Sequence, residues 1–240
     1  MNIYAKLAAG AAAILVVAVV GYQFLPSNTG SGGPPTPTVA PTLTPAPTAA
    51  PRLPESGPIE AGTYLTGSGP TILITVPAGW VSNGGGDIRK NHDEPNEVAL
   101  FVFGADLKVF ADACQSEGTE EPVGPTAADL LAALRAQKNS EISNPVDATV
   151  GGLTGMRLEI SPPAGLDTTE CSIGSLQIWV NGSGDGYLSG VGLADNPAAT
   201  VYIADTPGGR LALTPHHEPG ATAADIAELD AMVASIEIIE

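Results

Sequence analysis

The sequence predicts an α+β fold, an antiparallel sheet with flanking helices, preceded by one transmembrane helix and a disordered Pro/Thr-rich linker. Three observations carry this expectation. β-Branched and alternating runs recur along the chain, two stretches show helical spacing behind a capping signature, and short turn signals separate the runs. The strand candidates are Thr71 to Val76, Val98 to Phe103, Thr154 to Ile160, Leu176 to Val180, Thr200 to Ala204, Leu211 to Thr214 and Ile236 to Ile239. Gly151-Gly152, Asn181-Gly182 and Gly208-Gly209 are tight-turn signals between candidates, and connections that short favour antiparallel pairing. Thr126 and Asp129 open TAADLLAALRAQ, with Leu130, Leu131 and Leu134 at helical spacing. Thr222 and Asp225 repeat the signature before Ile226, Leu229, Met232 and Val233, which share one face of a second helix. Amphipathic helices need a surface to cover, and the sheet supplies it.

The amino terminus differs from the rest. Residues 7–21, LAAGAAAILVVAVVG, are apolar and uncharged behind Lys6, and the run from Ile3 to Leu25 approaches the length that crosses a bilayer. With the positive end retained inside, the remainder is exported. A cleaved signal peptide with Val19-Val20-Gly21 near its cleavage site is the competing reading. No cysteine follows the apolar run, so a lipoprotein anchor is excluded. From Pro26 to Pro58 the composition turns to Pro, Thr, Ser, Gly and Ala, and PPTPTVAPTLTPAPTAAP favours extended polyproline II. Fully extended, such a spacer reaches about 100 Å. The expected organisation is a signal anchor at 1–25, a linker at 26–58 and an extracytoplasmic domain at 59–240, on a single-pass protein of the cell membrane. About 180 residues remain for folding, enough for one core without a structural metal.

Acids outnumber bases by 26 to 9, a formal net charge of −17, and only Glu55, Lys6 and Arg52 among them precede residue 60. A domain this acidic has no basic surface from which to release a nucleic acid's counterions, so nucleic-acid binding is the best-excluded function. The two cysteines, Cys114 and Cys171, lie beyond the linker without a CxxC spacing or a histidine nearby in sequence. In an exported domain such a pair reads first as one disulfide.

Chemistry is scarce in the motif inventory. No GxSxG, P-loop, GxGxxG opening a helix or HExxH occurs, so no catalytic residue, cofactor or metal site is assigned. Asn181-Gly182-Ser183-Gly184-Asp185-Gly186 resembles the first half of a calcium loop, but Gly192 stands at the twelfth position, where a bidentate glutamate is needed. A flexible hairpin loop accounts for it better. Asn181-Gly182-Ser183 is also a glycosylation sequon. His216-His217-Glu218 reads as a loop leading into the last helix. Its histidines point to different sides of an extended chain, although one could join His92 and a carboxylate such as Asp93 on a metal. Trp80 and Trp179 read as core or sheet-face aromatics.

Val76-Pro77-Ala78-Gly79-Trp80 after an apolar strand, and a final helix running through Ala231, Met232 and Ser235 into Ile236, resemble exported PsbP-like domains. The resemblance implies an antiparallel sheet between helices and an accessory, binding or assembly role; it carries no functional residue onto this sequence. The expected function is a membrane-tethered extracytoplasmic binding, sensing or envelope-assembly module for an unknown protein or small-molecule ligand. An extracytoplasmic hydrolase with an unrecognised site is the alternative.

Overall fold

The computed structural model describes residues 49–239 apart from Ser68 and Asp185. The expected signal anchor, most of the linker and the one acid of the calcium-like loop therefore lie outside the described residues. Among the described residues no helix is long and apolar enough to cross a membrane. Pairing begins inside the Pro-rich stretch: Leu65 donates to the Pro51 carbonyl at 2.8 Å and Leu53 donates to the Leu65 carbonyl at 2.9 Å.

Three sheets and two α-helices are formed by the described residues, and all pairing between named strands is antiparallel. Most of the central sheet runs β1 (Gly57–Ile59), β4 (Trp80–Gly84), β5 (Asp87–Lys90), β6 (Val98–Phe103), β15 (Gly209–His217), β14 (Ala199–Thr206), β11 (Leu153–Ser161), β10 (Val146–Val150). The short β9 (Glu141–Ile142) also pairs with β11. A four-stranded sheet runs β13 (Tyr187–Val191), β12 (Leu176–Asn181), β7 (Leu107–Phe110), β8 (Glu120–Pro122). A three-stranded sheet runs β16 (Glu237–Ile239), β3 (Thr71–Val76), β2 (Gly62–Thr66). The helices are α1 (Ala127–Ala136) and α2 (Ala223–Ala234).

Side-chain alternation in the central sheet separates two cores. Val98, Leu100 and Val102 of β6 join Leu211 and Leu213 of β15 in a core with the three-stranded sheet and Leu229 and Met232 of α2. Phe103, Ala212, Val201 and Ile203 face the other way, into a core with the four-stranded sheet and Leu130 and Leu134 of α1. VALFVF in β6 is a continuous apolar run for this reason: both faces of its strand are covered. The domain is thus dominated by sheets, and its second layer on each side is a small sheet as well as a helix.

Both helices start where the sequence places them. The Thr126 hydroxyl accepts from the Asp129 amide at 3.1 Å while Asp129 accepts from the Thr126 amide at 3.0 Å, a complete capping box. Thr222 likewise accepts from the Asp225 amide at 3.1 Å.

α2 is tied to the central sheet by charge as well as by its apolar face. Lys90 of β5 lies 2.6 Å from the Asp225 carboxylate and 2.8 Å from that of Glu228, which also accepts from the Trp80 indole at 3.1 Å. Hydrogen bonds from Lys90, then from Thr222 and Trp80 respectively, hold the Asp225 and Glu228 carboxyls below their ordinary values of 3.8 and 4.5. A depressed carboxyl stabilises the fold above its unfolded value and loses that contribution as the pH falls through the folded one. Lys90 is held above its ordinary 10.5, mainly by the same two carboxylates, so its share persists through neutral pH. Lys90→Met is therefore expected to lower the melting temperature at neutral pH, with the gap to wild type closing as the pH falls below about 4. A gap that is constant from neutral to acidic pH in parallel melts would refute the coupling.

Candidate functional site

The strand register builds a cleft on the open part of the central sheet. Arg89 of β5 pairs with Ala99 of β6, which pairs with His216 of β15; the next rung is Asp87, Phe101, Thr214. Ile88 and Lys90 turn toward α2, so Asp87 and Arg89 turn to the other side, where Phe101, Thr214 and His216 also point. Ala99, fully buried, is the small residue between Arg89 and His216 on its rung. The facing wall is β13 with the segment that follows it, bringing Tyr187, Ser189, Leu193, Asp195 and Asn196 to the cleft. The enclosed space is about 300 Å³, at the small end for ligand sites. A second hollow of about 360 Å³ adjoins it, sharing Arg89, Phe101, Tyr187 and Ser189 and reaching the Gly84-Gly85-Gly86 turn. Gly86 has φ +88°, and a Cβ there would stand 2.4 Å from the Val102 carbonyl, so the turn can approach β6 only with glycine.

Arg89 organises the floor. Its Nε donates to Asp87 at 2.7 Å, Nη2 to Asp87 at 2.9 Å and Nη1 to Glu97 at 2.9 Å, while the guanidinium carbon sits 5.1 Å from the Phe101 ring centre. Burial by itself would lower the Arg89 pKa; the bonds and charges of Asp87 and Glu97 outweigh it and hold the group above its ordinary value. Glu97 is itself buried, and its second oxygen accepts from the Asp93 amide at 2.8 Å. His216 places Nε2 3.3 Å from Glu218, whose amide donates to the Glu97 carbonyl at 2.8 Å.

Thr214 stands apart from these satisfied groups. It is 2% exposed, it lines the cleft, and its hydroxyl has no hydrogen-bond partner among the described residues. Buried hydroxyls are ordinarily paired, because desolvation without a partner costs about 1–3 kcal/mol.

The residues singled out in the sequence are dispersed. Cys114 and Cys171 form the expected disulfide, with Cα atoms 4.5 Å apart, away from the cleft lining. Both tryptophans are fully buried; Trp179 meets Phe103 edge to face at 5.4 Å. His216 and His217 belong to the end of β15 and not to a loop, because β6 extends far enough to pair with them. His92 does meet carboxylates: its Nδ1 lies 3.0 Å from Asp93, and one ligand atom each from His92, Asp93 and Glu97 fall within 4.8 Å of one another. Glu97 is already committed there to Arg89 and to the Asp93 amide, so the group is a braced loop more than an open metal site. Arg89, Phe101, Thr214 and Tyr187 belong to no motif. The alternation of Asp87 and Arg89 on an otherwise base-poor chain is the only local signal of them.

No family model matches this chain, and no curated protein does. Among solved structures it is similar to the solution structure of cyanobacterial PsbP from Synechocystis sp. PCC 6803, with 10% identity, 75% of this chain and 94% of that chain covered, and a TM-score of 0.31. The resemblance in structure is weak and says nothing of the cleft.

Proposed function

We propose that this chain is a membrane-tethered extracytoplasmic binding module whose ligand, a small molecule, occupies the cleft between β5, β6 and β15 on one side and β13 on the other. The observation that carries the reading is Thr214, a cleft-lining residue whose buried hydroxyl has no hydrogen-bond partner among the described residues. A binding site tolerates such a group because the ligand supplies the missing bond. Binding is favoured over hydrolysis through that hydroxyl because, among the described residues, no side chain is hydrogen-bonded to it to act as its base. The tether rests on Lys6 and the apolar run behind it, and the exported setting agrees with the Cys114–Cys171 bond.

Thr214→Val tests the site without needing to fill it. Removing an unpaired buried hydroxyl at nearly constant shape is expected to raise the unfolding free energy by roughly 1 kcal/mol. A thermal-shift screen of a charge-diverse small-molecule set on the full-length protein should then yield stabilising compounds whose effect is lost in Thr214→Val. A saturating ligand at a hundred times its Kd contributes about 2.7 kcal/mol, well above detection. Hits that stabilise wild type and Thr214→Val equally would sink the cleft reading. For the tether, the protein should stay with membranes through a carbonate wash; full-length protein in the soluble fraction would refute it.

A further inference from the structure

Building on the cleft as the ligand site, we infer that its ligand is a small organic cation, an ammonium or amidinium head carried on a short apolar body.

The charges at the site select the sign. Arg89 is the base of the cleft, and it is enclosed by two acids, Asp87 and Glu97, both in hydrogen-bond contact with it. An anion arriving there finds a guanidinium already outnumbered, with its donors aimed at other carboxylates. Asp195 and Glu218 add two further acids to the lining, and the ion-pair partner of Glu218 among the described residues is His216, a neutral imidazole unless protonated. The cleft therefore carries uncompensated negative charge in a partly enclosed space, where Coulomb attraction is screened less than at an open surface.

The arrangement of the acids separates an organic cation from a metal ion. A bare divalent ion needs several oxygen or nitrogen ligands converging within a few ångströms. Among the described residues the three-ligand cluster of that kind is His92, Asp93 and Glu97, on the loop beside the cleft; Asp195 and Glu218 take no part in it. Dispersed acids suit a cation that brings its own N–H groups and spreads its charge. Thr214, at the Phe101 rung of the lining, brings to this face of the sheet a buried hydroxyl with no hydrogen-bond partner among the described residues.

The apolar part of the ligand is written in the rim. Tyr187 is 44% exposed and Leu193 40% exposed, two of the few large apolar side chains left to solvent, and both belong to this cleft. Phe101, whose ring already carries the Arg89 guanidinium at 5.1 Å, adds apolar surface to the lining.

A shape-matched series tests sign and site together: phenethylammonium, 2-phenylethanol and phenylacetate titrated calorimetrically into the full-length protein at physiological salt. The ammonium is expected to bind at least about tenfold tighter than the alcohol, and the carboxylate more weakly than either. Glu218→Gln should weaken the ammonium about tenfold and leave the alcohol unchanged, and Thr214→Val should weaken the ammonium. If the alcohol or the carboxylate binds as tightly as the ammonium and loses affinity in Thr214→Val, the cleft stands as the site and the cation is overturned. Ammonium binding that neither substitution alters is diffuse attraction to an acidic surface and overturns the cation at this site. No heat with any of the three compounds overturns it as well, while the thermal-shift screen tests the cleft separately.

Discussion

Arg210→Ala is expected to lower the unfolding free energy by about 4 kcal/mol. Arg210 is fully buried, and its guanidinium donates to the carbonyls of Ala105, Gly124 and Thr126. Those carbonyls belong to the β6–β7 connection, the segment leading to α1 and the α1 N-cap. One β15 side chain therefore clamps two chain segments, one at Ala105 and one at Gly124 to Thr126, both far from it in sequence. Asp205, its cross-strand neighbour on β14, accepts from the Ala127 amide at 2.6 Å and fastens the same helix start. Burial pushes the Arg210 pKa down, with Asp129 and Asp205 opposing it, so the cation is kept charged at some cost and the three carbonyls offset that cost. Alanine would remove three charge-assisted bonds, each worth about 1.5–3 kcal/mol, and leave a cavity; only the desolvation of the cation is recovered. Arg210→Lys should restore less than half of the loss, since one ammonium cannot reproduce the planar fork that spans these carbonyls. Denaturant titration gives the free energies, and hydrogen exchange should show α1 losing protection first. A loss under about 1 kcal/mol for Arg210→Ala would mean that water replaces the clamp without difficulty.

Removing the disulfide has an expected effect of similar size. Cys114 lies just after β7, and Cys171 closes the short 3-10 turn at Thr168–Glu170. The bond spans 57 positions, a loop that includes β8, α1, β9, β10 and β11. Restricting a loop of that length in the unfolded chain stabilises the fold by about 4 kcal/mol on the chain-entropy model. Local bonds keep the two segments together even without the sulfurs: the Ser172 amide donates to the Cys114 carbonyl at 2.8 Å and the Ser116 hydroxyl donates to Gln177 at 2.7 Å. The double Cys114→Ser, Cys171→Ser protein is therefore expected to fold with its sheets intact and a lower denaturant midpoint. Wild type under reductant should reproduce that midpoint, and the protein isolated without reductant should carry no alkylatable thiol until reduced. Two thiols that alkylate freely in unreduced protein would contradict the bond.

The sequence by itself determined the local elements. β3 and β6 run over Thr71–Val76 and Val98–Phe103, the same spans that their apolar patterns mark, and both helices begin at the threonine of their TAAD signature. These features are legible because capping and strand alternation depend on residues a few positions apart. Short strands such as β1, β5, β8 and β9 carry too few residues to show a period, and their pairing partners alone make them strands. His216 and His217 look like a loop in the sequence for the same reason: a Pro-His-His segment has no strand pattern, and β6 imposes it from across the sheet.

The candidate site was decided by tertiary structure alone. Arg89, Phe101 and Thr214 come from three segments, and nothing local says that Arg89 and His216 flank Ala99 on one sheet face or that the hydroxyl of Thr214 lacks a partner among the described residues. Register between strands is set by which faces two cores must cover, and in this chain the covering layers arrive from β13 on one side and α2 on the other. Net acidity is visible in the composition, but its concentration around the Arg89 guanidinium follows from where the fold brings Asp87 and Glu97 together.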